Sequence, residues 1–592
     1  MELFHDSRQE ECRFPTGAVP AGTQVTLRLF VTGAAFSVTL RLWNGFEKLI
    51  PMQDKGLGAF EATFTAPTEP CLVWYDFLTE DGRGHRLYYG NARDRLGGAG
   101  SAYQDPPPAF QITVYDPAFS PPAYLRDGIM YQIFPDRFHR SRMPKADIPG
   151  RILHTEWYEE PYLTHDPRSG DNWALDFYGG DLEGIRQKLP YLQGLGVTAL
   201  YLNPIFRART NHRYDTGDYM QVDPMLGDEA ALSRLCEDAR AAGIRVLLDG
   251  VFSHTGEDSL YFNKHGNYPS QGAYQSKHSP YHSWYRFRKF PDDYASWWNI
   301  PTLPELNKDD AGYREFMLGR QGVARKWLRS GTSGWRLDVA DELPMPFLRD
   351  LREAVRGEKE DAALLGEVWE DASNKIAYGH LRSYVLGDTL DSVMNYPLRE
   401  ALLGFFTHEV PASHVVRVVR SLQENYPAPF FYSLMNLMGS HDRARILNLL
   451  VNRDYGDLPL AERRGKVMDP PLRELARARF SKMLSVIVAM PGMPSLYYGD
   501  EAGMEGAADP FCRGTYPWGR EDAATRETVR GALRLRLERP VLRRGFLDIV
   551  NEGDDTLTLI RYARDGRDPF GEPLDDAPYV LRVTRDGRRL RK

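Results

Sequence analysis

Four carboxylates in this chain stand at the far ends of short apolar runs: Asp249 in GIRVLLD, Asp338 in TSGWRLD, Glu367 in AALLGE and Asp442 in LMNLMGSHD. A near-continuous apolar run reads as a parallel strand buried on both faces, and a charged residue at its end reads as the mouth of an α/β barrel. The separations fit that architecture. If eight units fill the ~250 residues of a typical barrel, Asp338 and Glu367 are about one strand-helix unit apart. Glu367 to Asp442 leaves room for two or three units. Asp249 to Asp338 is too long for one, which predicts an insertion after strand 3. Residues 255–308, rich in aromatic, His, Pro and Gly residues, are its expected extent.

The surrounding chain agrees. In DEAALSRLCEDARAAGIRVLLDG, Asp228 is the expected N-cap of a helix with Leu232, Leu235 and Ala239 inward, Gly243 ends it, and Ile244 to Leu248 form a buried strand. Before the barrel, period-two alternation predicts antiparallel strands with Val25, Leu27, Leu29 and Val31 on one face, then Phe36, Val38, Leu40 and Leu42. GAFEATF and CLVWYDFL continue the pattern, and the latter turns through TEDGRG into HRLYYG. The fold class is therefore α/β: an all-β sandwich over 1–118, a (β/α)8 barrel over 119–540 with its insert, and a short β domain over 541–592 that reads as incomplete. The Pro-rich segments YQDPPPAF and SPPAY read as the exit linker of the sandwich.

Composition removes several classes of function. A formal charge of −7, mixed along the 592 residues, argues against a nucleic-acid groove or an anionic membrane surface. No stretch approaches the roughly 18 apolar residues of a membrane span, and the N-terminus lacks a secretory pattern, so a cytoplasmic location is expected. Four widely spaced cysteines suit free thiols and neither a zinc site nor a disulfide framework.

Paired carboxylates at a barrel mouth are the apparatus for splitting an acetal, where one group protonates the leaving oxygen and the other attacks the anomeric carbon. Glu367 is the candidate acid, since Leu364, Leu365 and Trp369 beside it would raise its pKa by desolvation. Asp338 is the candidate nucleophile. Arg336, two residues earlier, shares its strand face and is placed to keep it ionised. Taken singly, Asp249 reads equally as a structural carboxylate beneath the site, Asp442 as an N-cap for ARILNLL, His254 as an ordinary loop histidine, and Tyr214 as a core aromatic or a stacking platform.

The segments DGVFSH (249–254), GWRLDVADE (334–342), GEVWED (366–371) and GSHD (439–442) resemble, in order and spacing, the four signature regions of glycoside hydrolase family 13, the α-amylase family. YQIFPDRF, FYGGDLEGI, NHRYDTGDYMQVDP, LPELN and PGMPSLYYGDE look like further stations of the same family. The sandwich is similar to a family 34 carbohydrate-binding module, which points to the neopullulanase, cyclomaltodextrinase and maltogenic amylase branch. The resemblance implies a retaining hydrolase of maltodextrins, cyclomaltodextrins or pullulan. It makes Asp338 the nucleophile, Glu367 the acid/base and Asp442 the transition-state stabiliser, with Tyr214, His254, Arg336 and His441 gripping the sugar and Asp249 supporting them. An α-glucanotransferase on the same residues is the alternative, and a non-catalytic glycan-binding protein the remote one. The resemblance also implies a homodimer through the N-terminal domain. Ser253 replaces the usual Asn, and HRSRMPKAD replaces an acidic calcium loop, so no cofactor is expected to be required and no metal ligand is assigned, with Ca2+ the one ion the resemblance leaves open.

Overall fold

Eight parallel strands enclose the centre of the molecule in this computed structural model, which describes all residues except 34, 164, 167–169, 172, 173 and 588–592. They are β1 (Met130–Ile133), β2 (Ala199–Leu202), β3 (Arg245–Gly250), β4 (Gly334–Leu337), β5 (Ala363–Gly366), β6 (Ser392–Val393), β7 (Met435–Leu437) and β8 (Met493–Tyr497). Each pairs in parallel with its sequence neighbour, β8 pairs with β1, and a bridge between Met394 and Met435 joins β6 to β7. The side-chain period of two sorts the strands into an inner and an outer face. Leu364 and Trp335 join the outer core under the helices, whereas Met130, Ala199, Tyr201, Leu247, Ala363, Leu365, Met435 and Met493 fill the barrel interior. Gly334 starts β4 at φ 145°, where a Cβ would meet the Ala363 carbonyl oxygen at 2.2 Å, so this inward position admits only glycine.

The helix expected before β3 runs Glu229–Ala241, capped by the Asp228 side chain, with Leu232, Leu235 and Ala239 buried. One barrel unit departs from the pattern: a small hairpin, Ile376–Ala377 with His380–Leu381, and no helix joins β5 to β6. The N-terminal sandwich packs there instead. Gln111 donates to Ser373 at 3.1 Å and accepts from Asn374 at 2.8 Å, and the Asp116 amide donates to Leu386.

The sandwich core contains the expected Val25, Leu27, Leu29, Val31, Val38, Leu40 and Leu42. Phe36 does not join them. It precedes the strand, which begins at Ser37, and is 78% exposed. The Pro-rich segments are not one linker either: between them the chain re-enters the sheet as Phe110–Tyr115, burying Phe110, Ile112 and Val114 and pairing with Cys71–Glu80. That strand carries the alternation that Pro-rich flanks obscure. Between β3 and β4 an aromatic core of Tyr261, Phe262, Trp284, Tyr285 and Tyr294 organises the insert. The bridge between His254 and Glu305 closes it where it leaves and rejoins the barrel. At the other end, Phe546–Glu552, Thr556–Tyr562 and Tyr579–Thr584 form a three-stranded antiparallel sheet. The last five residues of the basic tail lie outside the described residues. No described helix is long and apolar enough to cross a membrane.

Candidate functional site

The inward parity of β3, β4 and β5 brings Asp249, Arg336, Asp338 and Glu367 to one end of the barrel. Arg336 is 1% exposed and is the hub of the cluster. Its Nη1 donates to Asp249 at 2.9 and 3.1 Å and to Asp338 at 3.1 Å, and its Nη2 lies 2.8 Å from Glu367 Oε2. Asp249 also accepts from the hydroxyls of Tyr201 (2.6 Å) and Tyr214 (2.9 Å). With both its oxygens engaged, Asp249 holds the Arg336 guanidinium in place.

One guanidinium cannot neutralise three carboxylates. Burial therefore raises Asp338 far above the ordinary carboxylate range and raises Glu367, Asp249 and Asp442 as well, with Arg336 opposing in each case. Arg336 acts on Asp338 in the expected sense, favouring its ionised form, but it is shared with Asp249 and Glu367, so the carboxylates titrate as a group. Glu367 is also raised for the reason expected, but Trp369 acts differently from expectation. Its indole N–H donates to Glu367 Oε1 at 3.1 Å, which favours the anion. The indole itself stacks on Tyr396 (4.4 Å, 6°) and carries the Arg443 guanidinium 4.3 Å over its ring.

The second hold on Glu367 comes from backbone. Val339, next to Asp338, has φ 35°, and its N–H donates to Glu367 Oε2 at 2.9 Å. Left-handed backbone is a real outlier for a β-branched residue and costs ~1–3 kcal/mol, which the surrounding packing must overcome. It turns the chain so that one peptide after the candidate nucleophile fixes the candidate acid.

Tyr214, His441 and Asp442 approach from the other side. The Tyr214 and His441 rings are parallel (5.3 Å, 5°). Gln132 donates to His441 Nδ1 at 2.8 Å, so Nε2 carries the proton and donates to the Tyr214 oxygen at 2.6 Å, while Tyr214 gives its own proton to Asp249. Burial and the nearby Arg513 and Arg336 push the His441 pKa well below its usual value, consistent with a neutral ring. Asp442 does not cap a helix: the next one is Ile446–Leu449, led by Arg445. Instead Asp442 keeps a side chain 31% exposed to the cleft, 3.2 Å from His441 and 3.8 Å from Arg513. His254 is buried, donates from Nε2 to the Tyr214 carbonyl (3.1 Å), accepts at Nδ1 from Ser253 Oγ (2.9 Å), and lies against Trp297. Burial lowers its pKa to about 3.

All eight expected residues thus meet at one mouth. Gln132, Asn203 and Tyr201 complete the network and were missed, although polar side chains inside the runs MYQI and ALYLN are themselves a signal of an inward-facing functional layer. Arg513 reaches the site from far along the chain and has no local signature.

The stretch expected to disfavour calcium is occupied by its own cations. Lys145 Nζ bonds Asp181, which also accepts from Ser141 Oγ at 2.7 Å. Arg140 takes the carbonyl oxygens of Tyr178, His154 and Thr155. These oxygens do not fit a dication while an ammonium and a guanidinium hold them.

The family described as "Alpha amylase, catalytic domain" matches residues 132–546. An amylopullulanase of Thermoanaerobacter thermohydrosulfuricus is 35% identical over 641 residues, covering 99% of this chain and 42% of that protein. The chain therefore spans less than half the length of this relative. Neopullulanase 2 of Thermoactinomyces vulgaris is 32% identical over 468 residues, 78% of this chain and 70% of that one. Among solved structures, the cyclic alpha-maltosyl-(1→6)-maltose hydrolase from Arthrobacter globiformis, in complex with its cyclic sugar, superposes with a TM-score of 0.63 at 31% identity. The match covers 75% of this chain and 90% of that one.

Proposed function

Since the chain belongs to the alpha-amylase family, we propose that it is a retaining α-glucan hydrolase that cleaves α-1,4 and also α-1,6 glucosidic bonds in maltodextrins, cyclomaltodextrins or pullulan. The observation that supports this best is a single buried guanidinium, Arg336, touching both Asp338 and Glu367 on adjacent strands. Two carboxylates sharing one guanidinium support a close, retaining pair, in which the second carboxylate acts as nucleophile. In the first step Asp338 attacks the anomeric carbon, the glycosidic C–O bond breaks, and Glu367 gives its proton to the departing oxygen. In the second, Glu367 takes a proton from water, the water oxygen attacks the glycosyl-aspartate, and Asp338 leaves. Asp442, open to the cleft, holds the sugar hydroxyls, and Tyr214, His254 and His441 bind the same ring.

The proposal extends to a calcium-independent enzyme, supported by the Lys145 and Arg140 contacts. It also extends to a homodimer through the sandwich, where Trp43 and Phe46 are 51% and 66% exposed, and to a reducing, cytoplasmic location, supported by four free cysteines. The test is incubation with maltoheptaose, β-cyclodextrin and pullulan, resolving products by length. Shorter sugars support hydrolysis, products longer than the substrate point to the transferase, and unchanged substrates sink the reading.

A further inference from the structure

Arginines at the barrel mouth answer carboxylates: Arg336 meets Asp338 and Glu367, and Arg513 meets Asp509 at 3.1 Å. Arg443, the residue after Asp442, does not. Its guanidinium makes no ion pair or hydrogen bond among the described residues, and its Nε is buried without a partner. What it meets is a ring, with Cζ 4.3 Å over Trp369. The same indole lies parallel to Tyr396, with centroids 4.4 Å apart. Trp369 is 36% exposed, so burial alone does not hold it, and the ring and the cation together set its plane. From that plane the indole N–H reaches Glu367 Oε1 at 3.1 Å.

The two oxygens of Glu367 are held unequally. Oε2 accepts from the Val339 amide and faces the Arg336 guanidinium at 2.8 Å, so a proton on this acid belongs on Oε1, the oxygen that Trp369 touches. A cation over an aromatic face is attracted by the ring quadrupole and draws its electrons, which makes an N–H in the ring plane a stronger donor. That bond favours the Glu367 anion, against burial and the nearby charge of Asp442. Glu367 also faces Arg336 and Asp338 from the end of β4, and Tyr396 from the helix Tyr396–Phe406. We propose that Arg443 is a positioning residue for the acid/base, which clamps the Trp369 indole and through its N–H tunes the Glu367 oxygen that carries the proton. This rests on the α-glucan reading above, in which Glu367 gives a proton in one step and takes one in the next.

The experiment measures kcat and KM on maltoheptaose across pH for the wild type, Arg443→Met, Arg443→Lys, Trp369→Phe and the double variant of Arg443→Met with Trp369→Phe. Thermal melting confirms each fold. Arg443→Met should lower kcat about fivefold with KM changed by less than about twofold. It should also move the alkaline limb of kcat/KM up by about half a pH unit, because the Glu367 anion loses support and the acid keeps its proton to higher pH. Arg443→Lys, which restores a cation over the ring, should recover most of both. Trp369→Phe keeps the ring and removes the N–H, so adding Arg443→Met to it should cost less than about twofold. Equal losses in both backgrounds, or an alkaline limb that stays in place, overturn the proposal, since a merely structural arginine would act without the N–H. A loss confined to KM overturns it too and makes Arg443 a contact to the departing sugar. A wild type inactive on maltoheptaose overturns the α-glucan reading and the proposal with it.

Discussion

Arg336 and the pair Arg536 and Arg561 are equally buried, at 1%, 0% and 0% exposure, but their surroundings are opposite. Arg336 is ringed by carboxylates. Arg536 and Arg561 are ringed by backbone carbonyls and share that of Leu542. Arg536 also takes Val488, Met490 and Gly492, and Arg561 takes Ala489 and Gly545. Those oxygens include the orphan acceptors at the end of the helix Pro470–Ala489, so the two guanidiniums cap that helix and bind it to the C-terminal sheet. Without a counter-charge, burial lowers the pKa of Arg561 to about 10 and that of Arg536 well below its usual value. At the barrel mouth the imbalance runs the other way, and surplus negative charge is left on groups that chemistry can use. Buried arginine is thus a structural fastener where it meets carbonyls and a device for tuning acids where it meets carboxylates.

The largest effect separating the two regions is on rate. Glu367→Gln and Asp338→Asn should each lower kcat by several orders of magnitude without unfolding the protein, as steady-state assays with circular dichroism would show. Retention of more than about a tenth of activity in either would break the assignment.

Next is a crossed pair of arginine variants. Arg536→Met should leave kcat of the folded enzyme unchanged while destabilising it by ~3–5 kcal/mol, since several buried carbonyls lose their donor. Arg336→Lys should do the reverse, keeping a charge but losing the fork that reaches Asp249, Asp338 and Glu367 together. Denaturant melts and initial rates on both variants check this, and equal stability losses would dissolve the distinction.

A smaller effect concerns pH. Acids whose folded pKa is raised bind more protons in the native than in the unfolded state, so the cluster costs stability as pH rises from the ordinary carboxylate range toward neutrality. Glu367→Gln removes one such charge. Its melting temperature should exceed that of the wild type by about 1–2 °C at pH 7, and by less at pH 4. A variant less stable than the wild type at pH 7 would mean that the cluster is not strained.

The smallest expected effect is none at all. Chelation with EDTA should shift neither activity nor melting temperature, because Lys145 and Arg140 occupy the oxygens of the loop in question. A drop of about 10 °C would reveal a dication site elsewhere.

The contrast between regions also governed what could be read from the chain. Strand parity and terminal charge exposed Asp249, Arg336, Asp338 and Glu367 directly, since a carboxylate closing an apolar run has few structural explanations. Asp442 also closes an apolar run but suited a helix N-cap equally well, and Tyr214, His254 and His441 were legible as site residues only through their resemblance to family segments, because each alone suits a loop or a core. Val339 was invisible: a valine after a strand predicts more strand, and only the tertiary demand on Glu367 forces its left-handed turn. The arginine cap at Arg536 and Arg561 was equally hidden, as its partners are carbonyls that any sequence supplies. The missing helix between β5 and β6 is a third case, since it depends on the sandwich occupying that space.

The central claim is that Asp338 forms a covalent bond to the sugar, and the anomeric configuration of the first-formed product tests it most directly. Proton NMR of maltoheptaose hydrolysis, followed before mutarotation, should show the α-anomer appearing first. A β-anomer appearing first would mean a single displacement by water and would contradict the roles given to Asp338 and Glu367.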